Sequence, residues 1–220
     1  IPTLVGGALA GVTDVVSIAG GLSHIILCRA NNTTYAWGSD SSGQLGNGAT
    51  TGNQALPVSV GVNGQKVLAG YAHSIVIYPG GYIYVFGDIS QGQCRSDPVV
   101  NPNYISPLDL GWLTPRQASV VGGLSRHVVL VQPNGSLVSW GDNDQGQLGI
   151  GSTSAYQSAS VFPAAQWSLD VFIRISAGNA HSLGLKADGT VWAWGSDGYG
   201  QLGDDVTLAN QSVPVQVAGL

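Results

Sequence analysis

A chain that sets down the same landmarks four times at fixed offsets must fold as four copies of one unit, and this 220-residue sequence does so. Its histidines are His24, His73, His127 and His181, spaced 49, 54 and 54 residues apart. Thirteen residues after each stands an aromatic, Trp37, Phe86, Trp140 or Trp194, and each aromatic is followed directly by glycine. Seven residues beyond the aromatic comes a glutamine, Gln44, Gln93, Gln147 or Gln201, itself preceded by glycine. The sequence divides accordingly into one repeat domain over 1–220, with repeats at about 1–56, 57–106, 107–162 and 163–220.

Within each repeat, two β-rich runs flank a dipeptide: Asn31-Asn32, Gly80-Gly81, Asn134-Gly135 or Asp188-Gly189. Such pairs tolerate positive φ, so each predicts a tight β-hairpin of type I′. Another apolar strand precedes each histidine, and a stretch marked by Pro57, Pro107, Pro163 or Pro214 follows each glutamine. Proline lacks the N–H of a ladder and suits an edge strand. Three strands and a proline-marked edge make a four-stranded antiparallel sheet of about fifty residues, the size of a β-propeller blade. The expected fold is all-β.

Charged residues make up only 9% of the chain, far below the roughly 25% of an ordinary soluble domain. The formal net charge is −5 and no basic cluster could neutralise a row of phosphates, so nucleic acid is not an expected partner. The mean hydropathy of +0.19 comes from many short strands and not from one run of about 18 apolar residues, so no membrane insertion is expected. The chain begins at Ile1 and has no Met, which suggests a mature, processed or excised segment.

The fourth copy, AGNAHSLGLKADGTVWAWGSDGYGQLG, resembles the repeat of the regulator of chromosome condensation family almost position for position, and the likeness extends over essentially the whole chain. The second copy departs most, with Phe86 for Trp and Cys94 for Leu. The resemblance implies a propeller, typically of seven blades in that family. It implies no single function, since members include nucleotide-exchange factors, inhibitors, ubiquitin-ligase modules and adhesion domains. Exchange activity is not expected from four repeats that carry no dedicated wedge between blades.

Four equally placed histidines invite a metal or acid–base role, but a catalytic site breaks repeat symmetry and these preserve it. Each imidazole is expected to bond backbone groups near the inner edge of its blade, and each aromatic to fill the space between blades. Asp142-Asn143-Asp144-Gln145-Gly146 lacks the spacing and distal Glu of a calcium loop and reads as a turn. With no nucleophile elbow, phosphate loop or zinc spacing, no catalytic residue, metal or cofactor is expected. Cys28 and Cys94 sit where other copies carry apolar residues; two buried thiols and an inter-blade disulfide both fit.

Asn31, Asn32, Asn134 and Asn210 begin N-x-[ST] sequons, three of them at hairpin tips, which points to glycan acceptors and an extracellular, secreted protein. Glycans would also supply the solubility that the few charges do not. Pro2 adds a fifth proline-marked strand to four hairpins. Four blades could form part of a ring, a small closed ring, or a ring or fibre completed by other chains, and open blade faces favour association. The leading reading is therefore a non-enzymatic extracellular scaffold associating with copies of itself. The alternative is a soluble module that recognises or inhibits another protein through loops 95–106 and 150–166. A carbohydrate-binding role, with Tyr71, Trp112, Tyr156, Trp167 and Tyr199 as stacking surfaces, ranks below both.

Overall fold

The computed structural model describes residues 5–50, 52–79, 82–94, 103–109, 117–119, 125–161, 171–205 and 208–220, with the backbone alone at 103–109, 117–119 and 158–161. Sixteen strands in these residues form four sheets, each of four antiparallel strands in simple chain order. The first holds β1 (Val15–Gly20), β2 (His24–Arg29), β3 (Thr34–Gly38) and β4 (Gln54–Ser59). The second holds β5 (Lys66–Ala69), β6 (His73–Ile77), β7 (Ile83–Asp88) and β8 (Asn103–Asp109). The third holds β9 (Gln117–Ser119), β10 (His127–Val131), β11 (Leu137–Asn143) and β12 (Ser154–Val161). The fourth holds β13 (Phe172–Ala177), β14 (His181–Lys186), β15 (Val191–Gly195) and β16 (Gln211–Gln216).

Pro57 and Pro214 lie in β4 and β16, which pair only inward, so the missing N–H costs no ladder bond. The proline strand thus closes its sheet, whereas the sequence limits at 57, 107 and 163 put it at the head of the next repeat. Pro2 and Pro163 lie outside the described residues, as do Gly80-Gly81.

The hairpins form at the expected dipeptides, but not as type I′ turns. Only the second residue has positive φ: Asn32 at 68°, Gly135 at 86° and Gly189 at 90°. The turn closes one residue earlier, with Asn32, Gly135 and Gly189 N–H donating to the carbonyls of Arg29, Gln132 and Lys186. The preceding Asn31, Asn134 or Asp188 carboxamide or carboxylate accepts from the N–H two residues on, at 3.1, 3.0 and 2.9 Å. That local bond favours a non-primed turn followed by one left-handed residue.

Alternation along the central strands sends one set of side chains to each neighbouring sheet. Val76 and Phe86 of the second sheet meet Ile26, Cys28 and Ala36 of the first. Ile75, Val85, Val128 and Trp140 fill the second joint. Val129, Val131, Phe172 and Trp194 fill the third. Because both faces of the middle sheets are covered, β6 and β10 are buried at every residue. Among the described residues no helix is long and apolar enough to cross a membrane.

Candidate functional site: the inter-blade joints and one polar mouth

The four sequence landmarks converge on the joints between sheets. Phe86, Trp140 and Trp194 are fully buried there, as expected of inter-blade fillers, while Trp37 of the first sheet is only half-buried. Each glutamine side chain turns back on its own loop, its Oε1 accepting from the N–H two residues earlier, of Ser42, Gln91, Gln145 and Tyr199, at 2.7–2.9 Å. That pins the loop so that the glutamine's backbone carbonyl faces the next sheet.

The donors to that carbonyl vary. In the first joint Ser74 Oγ donates to the Gln44 carbonyl at 2.8 Å, since Phe86 has no N–H. In the second, Trp140 Nε1 donates to the Gln93 carbonyl at 2.7 Å, since Val128 stands where the first joint has Ser74. In the third, Trp194 Nε1 and Ser182 Oγ both donate to the Gln147 carbonyl at 2.9 Å. Every joint thus supplies at least one donor to an otherwise orphaned buried acceptor.

Two of the imidazoles extend this latch to a hydroxyl of the next blade, and His24 also meets backbone of the next blade, at His73, as expected of a ring bonding backbone groups. His24 Nε2 lies 2.9 Å from Ser74 Oγ, and His127 Nε2 lies 2.9 Å from Ser182 Oγ. Since each hydroxyl gives its single proton to a glutamine carbonyl, the ring must donate, which fixes the Nε2–H tautomer. The third copy has Val128 where a serine stands in the second and fourth, and neither ring nitrogen of His73 has a partner among the described residues. Burial holds His24 down at about 4 and His73 and His127 at about 3, so all three are neutral. Burial also lowers the half-buried His181. The signal was in the sequence: serine directly follows histidine in the second and fourth copies and not in the first and third.

The difference between joints has a measurable consequence. Trp140→Phe strands the Gln93 carbonyl and is expected to cost about 1–3 kcal/mol, whereas Trp194→Phe leaves Ser182 as donor and should cost less than about 1 kcal/mol. Urea unfolding of the two variants checks this. Equal losses would remove the latch as a stabilising feature.

Cys28 and Cys94 are free, buried thiols in different core clusters, so the disulfide reading is corrected: each fills an apolar slot in a separate joint. The acidic run leaves the end of β11 at Asn143 and turns over Asp144–Gly146, with buried Asn143 Oδ1 accepting from Leu148 N–H at 3.2 Å, as Asp40 and Asp197 do from Leu45 and Leu202. Of the sequon asparagines, Asn31 and Asn134 stand exposed at hairpin tips. Asn210 has both amide atoms engaged, with Asp197 N–H and with Gln145 Oε1. Thr34, the hydroxyl residue of the Asn32 sequon, is 2% exposed. Tyr156 is half-buried and Tyr199 is 98% exposed. Trp112, Trp167 and most of loop 95–106 lie outside the described residues.

The meander puts every histidine at one end of its blade, together with the long loops after the third strands. A polar cavity of about 450 Å³ opens at this end across three blades, lined by Tyr71, Arg126, Asp142, Asp144, Asn179 and Ser196, among others. The Arg126 guanidinium lies 4.3 Å above the Tyr71 ring. Burial pushes the Asp142 carboxyl up, opposed by the Asp144 backbone N–H that donates to it and by the charge of Arg126. Among described residues this end carries Asp88, Asp142, Asp144, Asp204 and Asp205, with Asp40 and Asp197 buried, against Arg126, while Arg29, Lys66, Arg174 and Lys186 sit toward the other end together with Asp14 and Asp188.

Meandering four-stranded blades, latched through one carbonyl per joint, with the variable loops gathered at one end, define a repeat propeller. The profile of the Regulator of chromosome condensation (RCC1) repeat matches residues 31–77, 134–185 and 188–220, more than half the chain, and a second profile of the same repeat matches 172–201. The chain belongs to this family. It is 29% identical over 208 residues to the probable E3 ubiquitin-protein ligase HERC6 of Homo sapiens, covering 92% of this chain and 20% of that protein. It is 29% identical over 192 residues to the ultraviolet-B receptor UVR8 of Arabidopsis thaliana, covering 84% and 42%. Yeast RCC1 (Prp20), solved bound to Kap60, superimposes with a TM-score of 0.81 at 19% identity over 99% of this chain and 50% of its own. The chain therefore spans about half or less of each of these relatives.

Proposed function

We propose that the chain is a non-catalytic protein-recognition module that holds a partner against the histidine end of its blades. The observation that carries this reading is the mouth formed by Tyr71, Arg126, Asp142 and Asp144, where three blades present non-equivalent residues around one cavity. Repeat symmetry governs the joints and ends at these loops, and specificity needs such singular positions. The aspartate excess here favours a partner with a basic segment. The yeast relative is itself known in complex with a protein, Kap60, which supports the class of partner without identifying it.

Exposed Asp144 is the side chain to reverse. Affinity capture from the native source should yield one stoichiometric partner, bound about tenfold or more weakly by Asp144→Lys and unchanged by Gln65→Lys at the opposite end. Equal binding by both variants would reject this surface.

The extracellular reading rests on the sequons, of which Asn31 and Asn134 are the accessible pair.

A further inference from the structure

Two positions before the histidines stand Leu22, Tyr71, Ser125 and Asn179, and one position before them stand Ser23, Ala72, Arg126 and Ala180. Each series holds one exception to small or aliphatic side chains without charge or ring. Tyr71 is on the second blade and Arg126 on the third, and the fold sets them against each other across the joint, with the guanidinium carbon 4.3 Å from the ring centroid. Their backbones are held in place. Tyr71 N–H donates to the Ser125 carbonyl at 2.8 Å, and Asp142 N–H donates to the Arg126 carbonyl at 3.1 Å.

A ring beneath a guanidinium covers one face of the planar group and leaves its N–H edge free. Elsewhere in this chain such an edge is used: Arg29 gives Nε–H and an Nη2–H to the two oxygens of Asp14, at 2.8 and 3.2 Å. Arg126 has no such partner. Among the described residues it makes no ion pair and no side-chain hydrogen bond, although it lines the mouth and is half-buried. Asp142 feels its charge, but an Asp142 carboxylate oxygen accepts from Asp144 N–H instead. A guanidinium already seated on a ring has given up much of its side-chain freedom, so a bidentate bond to it costs little further entropy.

We propose that Arg126 is the anion-receiving half of the mouth: its free fork takes a carboxylate of the partner, beside the basic group that Asp144 draws in. Asp142 and Asp144 decide the kind of anion. A phosphate monoester, close to doubly charged, would meet two aspartates. A carboxylate carries one charge, and its two oxygens match the fork. The partner segment therefore carries Asp or Glu next to Lys or Arg, and not basic residues alone. This rests on the mouth as the recognition surface and adds the residue that reads an acidic group there.

The five arginines of the chain give five side-chain Nε–H signals in a nitrogen-15 spectrum, and the one lost in Arg126→Gln belongs to the mouth. A short Gly/Ser peptide carrying alternating Lys and Glu, titrated into the 220-residue chain, should move that signal and saturate. The same peptide with Gln in place of each Glu should bind about fivefold or more weakly and leave the signal where it was. With phosphoserine in place of each Glu it should bind no tighter than the Glu peptide. Arg126→Gln should weaken the Lys-Glu peptide by about the same factor and leave the Gln peptide unchanged, a difference that a disturbed fold would not produce. Equal binding of the Glu and Gln peptides, tighter binding of the phosphoserine peptide, a stationary Arg126 signal at saturation, or no binding of the Lys-Glu peptide overturns the proposal. If the Glu and Gln peptides bind equally and Asp144→Lys weakens both, the mouth stands as a site for basic segments and only the role of Arg126 falls.

Discussion

Acidification from pH 7 to pH 5 should remove most of the stability of this fold and unfold it cooperatively before pH 4. Burial in the joints depresses the folded-state pKa of His24 to about 4 and of His73 and His127 to about 3, against about 6.5 in the unfolded chain. Between those values the unfolded chain binds a proton that the native state refuses, so stability is complete above pH 6.5 and declines as pH falls toward 3–4. Each histidine contributes a loss of about 1.4 kcal/mol per pH unit in that window. By pH 5 this is about 2 kcal/mol apiece and about 6 kcal/mol for three, comparable with the roughly 5–15 kcal/mol that keeps a domain folded. Asp142, whose pKa burial raises, works weakly in the opposite sense. Urea midpoints at pH 7, 6 and 5, read by tryptophan fluorescence, measure the slope. A flat profile across that range would mean that the rings are not neutral and dry in solution.

The histidines also show how much of the molecule could be read from the chain. The landmarks fixed the number of sheets, the hairpin positions and the placing of the aromatics between blades, because offsets repeated four times carry information that one copy would not. Partner identity was harder. Whether a buried imidazole bonds its own backbone or a hydroxyl on the next blade depends on which strand face meets which, and that follows only from the order of packing. Alternation within β6 and β14 sends Ser74 and Ser182 backward and their neighbours His73 and His181 forward, so the bond skips from one copy to the next. Cys28 and Cys94 were ambiguous for the same reason: occupying apolar slots told that they are buried, but not that their slots belong to different joints. The mouth was least legible. Tyr71 and Arg126 precede their histidines by two residues and one, positions where the other copies carry unrelated residues, so nothing periodic marked them.

The glycine after each aromatic should prove the least replaceable residue of the repeat. Gly38, Gly87, Gly141 and Gly195 pair with His24, His73, His127 and His181, and have φ between 100° and 114°. At each the pairing with the fourth strand shifts register, a bulge that twists the sheet. A Cβ on Gly87 would lie 2.4 Å from the Ala72 carbonyl oxygen and 2.7 Å from the His73 Cα, both backbone atoms of an adjacent strand that cannot move without carrying the latch with them. Gly87→Ala therefore meets two penalties, the left-handed conformation and the collision, and should cost about 3 kcal/mol or more, or about 6–12 °C in Tm. Gly48→Ala separates them: Gly48 has a φ of 82° and open space around it, so only the conformational cost of about 1 kcal/mol remains. A Gly87→Ala protein that melts with Gly48→Ala would show that the strand can retreat from the added methyl. The Trp-Gly pair would then be a matter of turn preference, and the tight approach of the histidine strand to the bulge would not be what holds the aromatics in their seats.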